Sequence, residues 1–138
     1  GTKVGAMFGE AVVFTHGNMP KNFVTLVKQH GALLAKGWLL GVQFDTLFTD
    51  DLYCGIARHD NDAADRIREV LVERGYTLTF DAPTNQIFIT LDNATSERLQ
   101  RNVRLGFMEK ADDTHTVMRI CTSWATTDEQ VEQLIALL

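Results

Sequence analysis

The segment Gly1-Thr2-Lys3-Val4-Gly5-Ala6-Met7-Phe8-Gly9 is the most informative part of the sequence for the fold. Lys3 is the only charged side chain in this segment. A second apolar run, Ala11-Val12-Val13-Phe14, follows it. Apolar surroundings favour the neutral amine of a lysine, and a neutral amine can attack a carbonyl carbon. The segment is therefore compatible with a desolvated, nucleophilic lysine, and it predicts a short buried strand over residues 10–14.

Schiff-base chemistry with a pyridoxal cofactor is one use of such an amine. Thr2 would then offer a hydroxyl and a backbone N–H to the cofactor phosphate. The glycines at positions 1, 5 and 9 would let the backbone approach a ligand closely. The alternative is a glycine-rich turn that leads into a strand, with Lys3 solvated at its edge. The residues of this segment alone leave both interpretations open.

The composition describes a soluble globular chain of one-domain size, with 138 residues, 45% hydrophobic and 22% charged. Its formal charge of −5 argues against a general nucleic-acid or anionic-membrane surface. Cys54 and Cys121 lack metal-ligand spacing, so we expect no metal site and a reducing, cytoplasmic environment. No apolar run is long enough to span a bilayer, and no membrane partner is expected.

Helical patterns dominate the middle of the chain. Residues 21–48 carry apolar side chains at three- to four-residue spacing, with a break or kink predicted near Gly31. A second helix is predicted from about residue 52 to residue 74, with Gly75 as its C-cap. The glycine-punctuated apolar stretch 31–44 is expected to be covered by another subunit.

The remainder predicts a small α/β domain. Strands are expected at 77–80, around 87–91, at 103–109 and, most clearly, at 114–123, where alternate residues, 116, 118, 120 and 122, share one face. A short helix is expected at 94–102, capped by Thr95 or Ser96. A final helix is expected after a capping box formed by Thr126 and Glu129.

Arg119 is the second residue that the sequence singles out, because it lies within the last predicted strand between Met118 and Ile120. A guanidinium keeps its charge, so burial requires an anion, and its planar fork suits a carboxylate. A bound ligand carboxylate and an internal ion pair with Asp112, Asp113 or a nearby glutamate both satisfy this requirement. Lys28 and Lys36, from the residues alone, are expected to solvate a helix face.

Several blocks of the sequence together carry a resemblance: 1–11, 28–37, 40–45, 115–119 and 122–127. In this order they resemble the threonine aldolases of the β-eliminating-lyase family, pyridoxal-phosphate enzymes of the aspartate-aminotransferase fold. The resemblance covers essentially the whole chain, but only the C-terminal portion of such an enzyme. It implies that 1–48 forms the end of the cofactor-binding large domain and that 49–138 forms a connecting helix and a small C-terminal α/β domain.

The resemblance also implies a site. Lys3 would be the Schiff-base lysine, Thr2 and Lys28 would contact the pyridoxal 5'-phosphate, and Arg119 would hold the substrate α-carboxylate. The reaction would be cleavage of L-threonine or a related β-hydroxy-α-amino acid by a homodimer or homotetramer. Two alternatives remain open: another pyridoxal-phosphate reaction, β-elimination or transamination, and a non-catalytic dimerising module.

Overall fold

The computed structural model describes residues 1–9 and 11–138. A 3-10 turn over Thr2–Val4 is followed by three helices, α1 (Phe23–Gln29), α2 (Trp38–Phe48) and α3 (Leu52–Glu73). The remaining elements are β1 (Thr77–Leu78), β2 (Gln86–Asp92), α4 (Asn93–Gln100), β3 (Gly106–Lys110), β4 (His115–Cys121) and α5 (Asp128–Leu137). The chain divides into two compact units, Gly1–Tyr53 and Cys54–Leu138.

The first unit contains the helix break that the sequence predicts. Gly31 has a φ of 69°, a left-handed conformation that other residues resist, and it ends α1. The N–H of Gly31 donates to the carbonyl oxygen of Lys28 at 3.0 Å. The N–H of Ala32 donates to the carbonyl oxygen of Val27 at 2.9 Å. The helical pattern of 21–48 is therefore realised as two helices, α1 and α2.

The strand expected over residues 10–14 is not observed in the described part of that range. Residues 11–14 have no regular secondary structure, and Val12 and Val13 are 66% and 78% exposed. Glu10 lies outside the described residues. A strand needs neighbouring strands to pair its N–H and C=O groups, and the described sheet takes all its strands from residues 77–121.

The second unit is built on that antiparallel sheet, whose strands lie in the order β1-β2-β4-β3. Alternate residues of β2 and β4, such as Ile87, Ile89, Met118 and Ile120, are buried. They belong to one core cluster with residues of α3, α4 and α5. The alternation predicted for 114–123 is thus confirmed, because one face of the sheet is covered by helices.

Helix α3 ends as the sequence predicts. Gly75 adopts a φ of 79°, and its N–H donates to the carbonyl oxygen of Val72 at 3.0 Å. The N–H of Tyr76 donates to the carbonyl oxygen of Leu71 at 2.9 Å. These two bonds satisfy carbonyls that a helix end otherwise leaves unpaired.

Two predicted helix caps are wrong by a few residues. Helix α4 is capped by Asp92, the last residue of β2, whose carboxylate accepts from the Thr95 N–H at 2.9 Å. Helix α5 is capped by Thr127 and Gln130, which form the capping box one residue later than expected. The Thr126 hydroxyl instead accepts from the Ser123 N–H at 2.9 Å. This bond closes the turn that precedes α5, so Thr126 does not cap the helix.

Candidate functional site

The segment that bears Lys3 is a tight turn. The carbonyl oxygen of Gly1 accepts from the N–H groups of Val4 and Ala6 at 3.2 and 3.1 Å. Gly5 ends the 3-10 turn with a φ of 90°. Val4 and Ala6 are buried, whereas Lys3 is exposed. The expected desolvation of Lys3 is therefore not found in the described chain, since the turn directs its small neighbours inward instead.

Helix α2 holds this turn in place. The N–H of Met7 donates to Oε1 of Gln43 at 2.7 Å, and Nε2 of Gln43 donates to the carbonyl oxygen of Leu39 at 3.2 Å. Gly9 has a φ of 125°, and a Cβ there would lie 3.0 Å from Cδ2 of Leu40. Sequence reasoning had assigned no role to Gln43, because nothing in its local pattern indicates a partner 36 residues away.

Thr2 and Lys28 belong to the same unit as Lys3. Both are exposed, Lys28 in the last turn of α1. The carbonyl oxygen of Thr2 accepts from the Gly5 N–H at 3.4 Å. Within residues 1–9 and 11–138, no ion pair involves Lys3 or Lys28. Both amines are therefore available to a ligand, and the roles given to these three residues stay predictions.

Arg119 lies in β4 of the second unit and is half-buried. It is paired with Phe88 of β2 on one side and with Gly106 of β3 on the other. Its Nη1 donates to Oε1 of Gln86 at 3.2 Å. The guanidinium is thus fixed by a neutral amide, and its charge is not compensated by this contact.

The internal ion pair considered for Arg119 is not formed among the described residues. The carboxylate of Asp112 accepts from Thr114 and His115 instead. These contacts, those of Thr114 foremost, hold the pKa of Asp112 well below its usual range. The other ion pairs of the described chain join Arg66 to Asp128 and Glu132, and Arg68 to Asp65. Arg119 therefore remains a cation without a carboxylate partner in this part of the protein.

A cavity of about 320 Å³ lies where β3 begins beside β4. Its lining includes Arg119, Ile120 and Cys121 of β4, together with Arg104 and the polar side chain of Gln130. Arg104 is exposed and has no ion-pair partner among the described residues. Two arginines thus border one concave surface, an arrangement suited to an anionic ligand. The strand expected at 103–109 begins only at Gly106, so Arg104 precedes it. Sequence reasoning missed Arg104, because the cavity that it borders is formed by residues far apart in the chain.

Other kinds of site are not seen in the described residues. Across 1–9 and 11–138, no three His, Cys, Asp or Glu residues are grouped so that they could hold a metal ion. In the same ranges, no helix has both the length and the hydropathy needed to cross a membrane.

The fold is similar to that of a known class of enzymes. The structure is similar to that of a threonine aldolase from Leishmania major, with a TM-score of 0.80 and 35% sequence identity. The similarity covers 86% of this chain and 34% of that chain. It confirms the predicted α/β fold, that of the C-terminal part of an aspartate-aminotransferase-like protein of fold type I.

Sequence relatives point to the same family. A low specificity L-threonine aldolase from Pseudomonas aeruginosa is 28% identical over 97% of this chain, and one from another Pseudomonas strain is 28% identical over 99%. The chain spans 38% and 39% of the length of these two relatives. No family model matches the chain. The resemblance to threonine aldolases that the sequence blocks predict is confirmed.

Proposed function

We propose that this chain is the C-terminal part of a pyridoxal-phosphate-dependent aldolase. The enzyme would cleave L-threonine or a related β-hydroxy-α-amino acid to glycine and an aldehyde. The observation that carries the proposal is the similarity to the Leishmania major threonine aldolase, at 35% identity over 86% of the chain. The alternative pyridoxal-phosphate reactions and the non-catalytic module have no comparable support.

The residues of the first unit fit the cofactor. An exposed primary amine on Lys3 suits the cofactor aldehyde, and the Thr2 hydroxyl and the Lys28 ammonium suit its phosphate. The left-handed Gly5 lets the backbone turn sharply beside the amine. When bound, the cofactor supplies an electron sink for cleavage of the Cα–Cβ bond.

Arg119 would bind the substrate through its α-carboxylate. The guanidinium is half-buried, fixed by Gln86 and uncompensated among the described residues, so a substrate carboxylate would meet a preorganised cation. Anchoring the carboxylate restricts rotation of the substrate and helps to align the bond that breaks.

The enzyme would act as a homodimer or homotetramer. The first unit exposes large apolar side chains, among them Leu33, Leu34, Trp38 and Val42. Apolar side chains exposed in this way favour coverage by a partner, and the proposal assigns that role to a second subunit. In this proposal, Lys28 reaches the cofactor phosphate of a neighbouring subunit.

The proposed function is tested by product analysis and by labelling. The purified full-length protein, supplied with pyridoxal phosphate and threonine, should release glycine and acetaldehyde. Borohydride reduction followed by peptide mapping should leave the cofactor on Lys3. Release of ammonia and a keto acid would favour β-elimination, recovery of an aminated cofactor would favour transamination, and no binding would favour the non-catalytic module.

A further inference from the structure

The hydrogen bonds of Arg119 are unequally distributed over its guanidinium. Nη1 donates to Oε1 of Gln86 at 3.2 Å. In the described residues, Nε and Nη2 have no hydrogen-bond partner. A guanidinium can bind a carboxylate in bidentate fashion through two adjacent N–H groups. The edge formed by Nε and Nη2 is therefore the one left open to a ligand.

Gln86 determines which edge is occupied. A guanidinium only donates hydrogen bonds, so the amide oxygen of Gln86 must be the atom that faces it. Gln86 begins β2 and is paired across the sheet with Cys121, two residues beyond Arg119 on the same face of β4. This register places the amide on the Nη1 side and holds it there with the sheet. A carboxylate at position 86 would keep the hydrogen bond but would neutralise the cation.

Gly106 lies beside the open edge. It is paired with Arg119 across β3 and β4, and a Cβ at position 106 would lie 3.6 Å from Nε of Arg119. That distance is an ordinary contact, so an alanine methyl fits. Atoms branching beyond Cβ would occupy space next to the guanidinium. The backbone of Gly106 does not require glycine for conformational reasons, because its φ lies outside the positive range. The absence of a side chain therefore leaves room at this place.

We propose that the substrate carboxylate binds the Nε–Nη2 edge of Arg119, with Gln86 as the positioning residue and Gly106 as the residue that keeps this edge accessible. This inference rests on the proposed function. It adds that a neutral amide and a missing side chain, both on neighbouring strands, leave one edge of Arg119 charged and accessible to a ligand carboxylate.

The experiment measures glycine affinity by titration calorimetry, and threonine turnover, in variants of the full-length holoenzyme. Gln86→Glu should weaken glycine binding by roughly tenfold, because its carboxylate would neutralise the guanidinium that the ligand carboxylate needs. Gln86→Met, which has similar length and no strong acceptor, should weaken it severalfold. Gly106→Val should weaken it by at least about tenfold, although valine is a good strand former, whereas Gly106→Ala should bind almost as the parent does. In the three variants expected to bind more weakly, KM should rise more than kcat falls.

Matched controls separate this inference from the proposed function. Gln133→Glu changes the net charge as Gln86→Glu does, on the exposed face of α5, and should leave glycine affinity unchanged. If Arg119→Lys loses glycine affinity while Gln86→Glu, Gln86→Met and Gly106→Val keep it, the inference is overturned and the proposed function stands. If Arg119→Lys binds glycine as the parent does, the carboxylate role itself is wrong and the inference fails with it.

Discussion

Thr122 donates a hydrogen bond of 2.7 Å from its Oγ1 to the backbone carbonyl oxygen of Asp60, a residue 62 positions earlier in the chain. Both residues are 2% exposed. The N–H of Thr122 donates to the carbonyl oxygen of Asn85 at 3.0 Å. Thr122, the residue that follows β4, is therefore bonded both to helix α3 and to the residue that precedes β2.

Thr122→Val should lower the free energy of unfolding by about 1–3 kcal/mol. The variant keeps the shape of the side chain but removes the donor, so the carbonyl of Asp60 loses a partner in a place that water does not reach. Thr122→Ser is the control, because it keeps the hydroxyl and should retain most of the stability. Denaturant titration measures both, and equal stabilities for the parent and the valine variant would show that the bond contributes nothing.

Asp60, whose backbone carbonyl accepts this hydrogen bond, also has a buried side chain. Its Oδ1 has no hydrogen-bond partner among the described residues, and desolvation by burial raises its pKa from 3.8. A raised pKa means that the folded state binds the proton more tightly than the unfolded state. Its contribution to stability is therefore present at low pH and is lost as the pH rises from 3.8 through the folded-state pKa.

Asp60→Asn should change this pH dependence. The amide has no charge to bury, so the stability of the variant relative to the parent should be greater at about pH 7 than at about pH 3.5. Comparing the two pH values removes any effect of the amide geometry that does not depend on pH. Urea unfolding at both values measures the difference. A relative stability that is the same at both would show that the carboxyl group titrates alike in the folded and unfolded states.

Lys3→Ala should abolish threonine cleavage in the full-length enzyme, because no other amine would take the place of its Nζ. Lys3→Arg should also be inactive, since a guanidinium keeps its proton and does not attack an aldehyde. Lys36→Ala removes an equally exposed lysine from the same unit and should keep activity. Product release is the measurement, and turnover by the Lys3→Ala variant near that of the parent would refute the pyridoxal mechanism.

Arg119→Lys should lower kcat/KM for threonine by roughly thirtyfold to a thousandfold, equivalent to about 2–4 kcal/mol. An ammonium supplies a point charge where the proposed contact needs a planar fork. The cofactor should remain attached through Lys3. Arg104→Lys, a change of the same kind at the border of the same cavity, should have a smaller effect. A lower melting temperature with unchanged kinetics would make Arg119 a structural residue instead.

The exposed apolar residues of the first unit predict an oligomer. Sedimentation of the full-length protein should show at least a dimer, and Trp38→Glu together with Val42→Glu should weaken its association, because both side chains are more than half exposed in this chain. Val72→Glu places one such charge on an exposed apolar residue of the second unit and should leave the assembly intact. Trp38→Glu alone, which adds the same single charge, is compared with it. An active monomer with cofactor bound would contradict the prediction.

Local patterns in the sequence were sufficient for many elements of the fold. The alternation in β4 and the glycines at positions 31 and 75 each predicted the observed structure. These features depend on residues within a few positions of one another, since strand faces, helix faces and C-caps repeat over short distances. The resemblance to threonine aldolases was likewise visible in short blocks of residues.

Features that depend on distant partners needed the folded chain. The apolar run 11–14 forms no strand, because strand formation requires hydrogen-bonding neighbours that a local pattern does not reveal. The partners of Arg119 became visible only in the sheet register, which brings Gln86, 33 residues away, and Gly106 to the two sides of its guanidinium. The burial of Asp60 had the same origin, since packing of α3 against the sheet removes its carboxyl group from water.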